Sequence, residues 1–188
     1  MIILLSKHAQ DSQNILVNVI KGAGEIGTTL QTAVKDNVIT ALKSVGQITT
    51  TATSVVSEIV FGAIAAVFQT GTTLTTGSKN IVIGAIKGAL EVGTNIIDAT
   101  QKVVSGAIKG AAEVGGDVAG VAVSSVEGAI EAAGAVGADT EEVTKTAVMT
   151  AVKAADEIGT EAGGNVRKAL LSAASLPKDV VKAVIGEK

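Results

Sequence analysis

No cysteine, tryptophan or tyrosine occurs in the 188 residues, and proline, histidine and arginine appear once each, as Pro177, His8 and Arg167. Each absence excludes something. Without cysteine there is no disulfide framework and no thiol chemistry, and a single histidine leaves zinc short of its usual ligands. His8 therefore reads as a structural or solvent-facing residue. The only aromatic residues, Phe61 and Phe68, cannot form the stacking platforms of a single-strand nucleic-acid site. No metal, cofactor, nucleic acid or small-molecule substrate is expected, and the chain reads as non-enzymatic.

Long apolar runs are missing as well. The continuous apolar part of the longest uncharged stretch, Ile59 to Phe68, is half the ~20 residues that span a bilayer. Met1 to Leu5 is too short for the core of a signal peptide and has no basic residue before it. With neither a signal peptide nor a transmembrane helix, the expected location is cytoplasmic, at most peripheral on a membrane or granule.

What the chain has in excess is small and aliphatic residues, with 22 glycines and a mean hydropathy of +0.48. With a net charge of only -3, this composition is the opposite of a disordered segment. Blocks of 22 residues align without insertion from Asn18, Thr40, Gly62, Gly84, Gly106, Gly128 and Thr150. The neighbours GAIKGALEVGTNIIDATQKVVS (84–105) and GAIKGAAEVGGDVAGVAVSSVE (106–127) show the match. Position two is Val19 and then Ala in every later block. Position ten is Gly27, Gly71, Gly93, Gly115, Gly137 and Gly159, with Thr49 the exception. Three regions result: a lead segment (1–17), seven repeats (18–171), and a partial repeat with a short final helix (172–188). The final helix is predicted over Lys178 to Ile185, after Ser175-Leu176-Pro177.

Within each unit the apolar residues fall three or four apart, the spacing of one helix face. The expected fold is therefore all-α, built of tandem 22-residue amphipathic repeats. At about 98° per residue the apolar positions sweep an arc of roughly 165°. That arc holds Ile20, Ile26, Leu30, Leu42, Ile48, Ile64, Val67, Leu74, Ile86, Val92, Ile96, Ile108, Val114, Val118, Ile130, Val136, Val152 and Ile158. Opposite it, position four carries Lys21, Lys43, Lys87, Lys109 and Lys153, and position eight carries Glu25, Glu91, Glu113 and Glu157. Their spacing predicts i,i+4 pairs on a wet face.

Two geometries satisfy this pattern. In one, the units run on as a continuous or gently bent helix of roughly 230 Å. In the other, the chain reverses once per unit, with Gly at position ten closing a helix and the next Asn or Asp capping its successor, as in Gly93-Thr94-Asn95, Gly115-Gly116-Asp117 and Gly137-Ala138-Asp139. The position-ten glycines are hinge or close-contact residues in either case. The apolar stripe crosses them without losing phase, which favours the continuous helix.

Gly22-Ala23-Gly24-Glu25-Ile26-Gly27 matches the dinucleotide fingerprint G-x-G-x-x-G, but nothing supplies the second strand with an acidic end that this fold needs. Its glycines sit at repeat positions held by small residues elsewhere. Gly84/Gly88 and Gly106/Gly110 are G-x-x-x-G pairs, which permit close helix contact in lipid and are small face positions in water. Charge is uneven: residues 113–161 hold ten acids and two lysines. Ile59–Phe68 and Thr72–Thr76 have the β-prone, nearly uncharged profile of cross-β segments when exposed.

In period and composition the array resembles the 11- and 22-residue amphipathic repeats of exchangeable apolipoproteins, synucleins and perilipin-type proteins. The stretch VGGDVAGVAVSSVEGAIEAAGAV (114–136) is similar in texture to the central part of synucleins. The array also resembles bacterial proteins built from GAIEAAGEIG-type units. The first resemblance implies a helix face laid on a membrane, droplet or granule surface. The alternative is self-association, with copies or repeats burying their arcs on each other as a filament, bundle or solenoid. The expected partners are thus a lipid surface or other copies of the chain.

Overall fold

Helices of 18 residues followed by four-residue turns make up the three 22-residue units between Leu74 and Asp139. The structure, a computed structural model, describes residues 6–22, 24–45 and 50–186, all helices and short connections among the described residues. They are α1 (Lys7–Gly22), α2 (Ile26–Val45), α3 (Thr50–Gln69), α4 (Leu74–Glu91), α5 (Ile96–Glu113), α6 (Val118–Ala135), α7 (Thr140–Ile158), α8 (Thr160–Ser172) and α9 (Lys178–Ile185). The all-α repeat fold is as expected. The continuous helix is not: the chain turns back once per unit.

The turn chemistry shows why. Gly93 has φ +91°, a left-handed conformation that costs a residue with a Cβ about 1–2 kcal/mol. Its N–H donates to the Leu90 carbonyl (3.0 Å), and the Thr94 N–H donates to the Ala89 carbonyl (3.0 Å). This paired closure satisfies the helix's last carbonyls. The same two bonds recur at Gly71, Gly115 and Gly137. The next helix is then capped: Asn95 Oδ1 accepts from the Ile97 N–H (2.8 Å), and Asp117 Oδ1 from the Gly120 N–H (2.9 Å). Asp139 Oδ1 accepts from the N–H groups of Glu141 and Glu142. Each cap contributes about 1 kcal/mol.

Two position-ten glycines behave differently. Gly159, between α7 and α8, has φ 163°, ordinary extended backbone. Gly27 lies inside α2, which starts four residues earlier than two 22-residue steps back from Leu74 would place it. The lead segment is not separate from the array, since it is helical from Lys7 and forms most of α1.

Each helix up to α7 packs most extensively on a helix two places away in the chain, through the pairs α1 with α3, α2 with α4, α3 with α5, α4 with α6, and α5 with α7. Odd and even helices therefore form two layers, and the whole is a two-layer solenoid. Helices α8 and α9 end it, with α8 packed on α6 and α7, and α9 mainly on α7. Alanines at positions two and six run through the centre, with Ala63, Ala85, Ala89, Ala107, Ala111, Ala129, Ala133, Ala151 and Ala155 fully buried. Larger aliphatics such as Ile64, Ile81, Ile86 and Ile108 fill the space beside them, also without exposure.

The small core exists because the backbones nearly touch. A Cβ built on Gly84 would collide with the Gln31 carbonyl oxygen, and one on Gly62 with that of Ala9. Built on Gly106 it would stand 2.5 Å from the Ser57 oxygen, and on Gly128 2.8 Å from that of Lys79. These are the position-one glycines, each facing the helix two places earlier. Ser12 Oγ reinforces the first crossing by donating to the Ile59 carbonyl (3.0 Å) in a buried bond.

The β-prone Ile59–Phe68 lies in α3, where Ile59, Val60, Ile64 and Val67 are sealed in the core. Burial of a whole aliphatic face outweighs the helix penalty of its β-branched residues, which is a few tenths of a kcal/mol each.

Gly106→Ala should destabilise the chain by about 1–3 kcal/mol in chemical denaturation, because the methyl group has backbone on the other side. Gly134→Ala, on open helix surface with nothing within 4 Å of the new Cβ, should be neutral or stabilise by up to ~1 kcal/mol. Equal effects at the two positions would contradict the close-contact account.

Candidate functional site

The fold turns the predicted apolar arc inward. Ile20, Leu30, Leu42, Ile64, Val67, Ile86 and Ile108 are buried against the chain's own helices. Leu74, Val92, Ile96, Val118, Ile130 and Val152 are half-buried and packed on that core, and Val114 is half-buried beside a turn. Ile26, Val136 and Ile158 are exposed at helix ends, and Ile48 lies outside the described residues. The arc is thus distributed between two packed layers and no longer forms one continuous surface. Position 21 of the unit, outside the predicted arc, is also core: Val82, Val104, Val126 and Val148 are fully buried. A helix with neighbours on three sides buries more than one stripe.

The glycine roles divide as well. Gly71, Gly93, Gly115 and Gly137 make turns, whereas close contact belongs to position one and, at Gly88 and Gly110, to position five. A Cβ on Gly88 would lie 2.7 Å from the Lys35 oxygen. The G-x-x-x-G pairs are therefore helix crossings within one chain. Gly22 is the last residue of helix α1 and Gly27 lies in the first turn of α2, so the G-x-G-x-x-G motif follows a helix and not a strand. His8 is exposed on α1. The excess of glycine at position one, spaced like position ten, was the signal available for the crossings.

The polar face is organised between helices, not along them. Lys35 Nζ pairs with Glu91 across α2 and α4 (2.6 Å), Lys79 with Glu131 across α4 and α6 (2.9 Å), and Lys109 with Glu157 across α5 and α7 (3.0 Å). The predicted Lys-then-Glu pairs at positions four and eight are thus replaced for Glu91 and Glu157. Close axes bring the neighbouring helix's lysine within reach, and Glu before Lys is the better order along a helix. That order occurs at Glu141 and Lys145 (2.5 Å). Their hydrogen bonds and charge raise Lys35 and Lys79 above the ordinary lysine value, and the bond from Lys35 lowers Glu91. All are surface pairs, weak singly and screened by salt.

Shallow grooves remain toward the C-terminal end. One of about 470 Å³ lies between α7 and α9, lined by Met149, Val152, Val184, Ile185 and Arg167 among others. Another, about 550 Å³, lies where the α5–α6 and α7–α8 connections meet, beside Asp117 and Glu161. Among the described residues no three metal-ligating side chains converge. By length and composition α6 alone among the described helices could cross a bilayer, and half of it is buried as core.

Arg167 on α8 grips Asp156 on α7 through both oxygens (2.7 and 2.6 Å). That fork holds the Asp156 carboxyl below its usual value of 3.8. Gly163 makes room for it, since a Cβ there would overlap Asp156 Oδ1.

No protein-family model matches the sequence, and no curated protein is significantly similar to it. Among solved structures the chain is similar to a de novo designed helical repeat protein, at 20% identity and a TM-score of 0.51, over 95% of this chain and 93% of the other. That likeness concerns the fold alone.

Asp156→Asn should lower the thermal midpoint slightly at pH 7. The pair's contribution is complete above the carboxyl's ordinary value and is lost as pH falls through its lower folded value. The difference between Asp156→Asn and the parent should therefore shrink as pH falls below the ordinary carboxyl range and vanish once Asp156 is protonated in the folded protein. Gly163→Ala should reproduce the pH 7 loss, and a midpoint insensitive to both changes would mean that the fork does not hold α8.

Proposed function

We propose that this protein is a non-enzymatic structural element: a helical solenoid whose apolar faces are satisfied within one chain and which presents a charged, ion-paired surface as spacer or scaffold. The observation that carries this reading is the repeated backbone contact at Gly62, Gly84, Gly106 and Gly128, which closes the arcs on each other without a partner. His8, Asp11, Asn14 and Asn18 are exposed on α1, and Thr28, Thr32 and Asp36 on α2. Exposed polar faces of this kind favour solubility over further stacking. A coat on a lipid surface needs the arcs free, so helices in van der Waals contact along their backbones would have to separate. The ten acids of residues 113–161 would also be repelled by anionic headgroups.

Far-UV circular dichroism with and without neutral lipid vesicles, combined with light scattering over a range of concentrations, tests the proposal. The expected result is strong helix in buffer, unchanged by vesicles, with a particle mass near 18.6 kDa at every concentration. A large gain of helix on adding vesicles would replace this reading with the surface coat. Growth into large particles with concentration would replace it with a filament.

A further inference from the structure

Same-layer helices run parallel, because consecutive close contacts keep one residue offset. Gly84 faces Gln31 and Gly88 faces Lys35, both 53 residues apart. Gly62 faces Ala9 at the same offset. In the next pairs the offset is smaller: Gly106 faces Ser57, Gly110 faces Phe61 and Gly128 faces Lys79, each 49 residues apart. Helices α1 and α2 are thus seated one helical turn away from the register used by α3 to α6. The start of α2 is early by the same four residues, and Gly27 is taken into the helix.

We propose that the first hairpin, α1–α2, has two seats on α3–α4 one helical turn apart, and that the Lys35–Glu91 pair selects the one observed. The geometry permits both. A four-residue step returns a helix to nearly the same face, so the apolar residues of α2 still point inward. The glycines of α4 are also four apart, so the Lys35 backbone that now crosses at Gly88 would cross at Gly84. This is the 49-residue register already present at Gly106 and Gly128. The chain offers the matching turn: Gly27-Thr28-Thr29 occupies the place of Gly93-Thr94-Asn95.

Charge separates the two seats. In the 49-residue register Lys79 of α4 meets Glu131 of α6, 52 residues on. Lys35 moved into that register would meet residue 87, which is a lysine. In the observed seat it meets Glu91 at 2.6 Å. One unlike pair and one like pair thus favour the same side. Steps of one turn between packed helices are a known form of bistability, and here the switch is set by two residues on α4.

Because the chain has no cysteine, paired thiols report the register without background. Asn80→Cys with Gly27→Cys marks the observed seat, since a Cβ at 27 lies 3.4 Å from the Asn80 side chain. Asn80→Cys with Gln31→Cys marks the other, 49 residues apart, because one turn of about 5.4 Å exceeds the tolerance of a disulfide. Under mild oxidation the 27–80 bond should dominate in the parent sequence. Exchanging the charges, Lys87→Glu with Glu91→Lys, should raise the yield of 31–80 relative to 27–80 about fivefold. Glu91→Gln should raise it about twofold. An unchanged ratio in both backgrounds, with helix content retained, overturns the proposal. Should the double exchange fail to fold, an unchanged ratio in Glu91→Gln overturns it alone.

Discussion

Contact between helix backbones is the constraint from which the remaining features follow. Where a glycine of one helix lies against a carbonyl of the next, there is no room for a side chain between the axes. The residues beside the crossing must then be alanines, as at positions two and six, and larger aliphatics can only fill the flanks. A core built this way has no place for tryptophan or tyrosine, which explains their absence more directly than any surface requirement. It also has many small contacts in place of a few large ones. Its cohesion is dispersion and area burial summed over a long seam.

The same proximity arranges the surface. Lysine and glutamate side chains on adjacent helices of a layer reach each other across a narrow gap, and the resulting ion pairs run along the outside of the seam. Reading along one helix places these residues in the wrong pairs, because the sequence shows neighbours four apart and conceals neighbours about fifty apart.

The repeat length, the helical period, the turn glycines at 71, 93, 115 and 137, the caps Asn95, Asp117 and Asp139, and the final helix from Lys178 to Ile185 were legible in the sequence. The reversal at each turn was not, for a physical reason. A closure that uses four residues consumes about one helical turn, so the apolar phase emerges from the reversal almost where it entered. An unbroken stripe therefore cannot distinguish a chain that continues from one that folds back. The inward fate of Ile64, Ile86 and Ile108 was legible as apolarity but not as a destination, since lipid and a neighbouring helix make the same demand on a side chain. The shifted start of α2 was hidden because Gly22, Gly24 and Gly27 offer turns in more than one place, and only packing on α4 decides between them.

The alternation of layers gives the array a parity. Each 22-residue unit contributes one helix, yet its main partner is the helix two units away. Loss or duplication of a single unit would transfer every later helix to the opposite layer and reverse its direction, but those helices would move together, so their mutual crossings and ion pairs would survive and only the contacts spanning the junction would change hands. Loss or duplication of 44 residues would in addition keep every later helix in its own layer and direction. Because position-one glycines make the crossing in both layers, at Gly62 and Gly106 in one and at Gly84 and Gly128 in the other, such a protein can lengthen or shorten by a single unit, at the cost of turning its far end to face the other way.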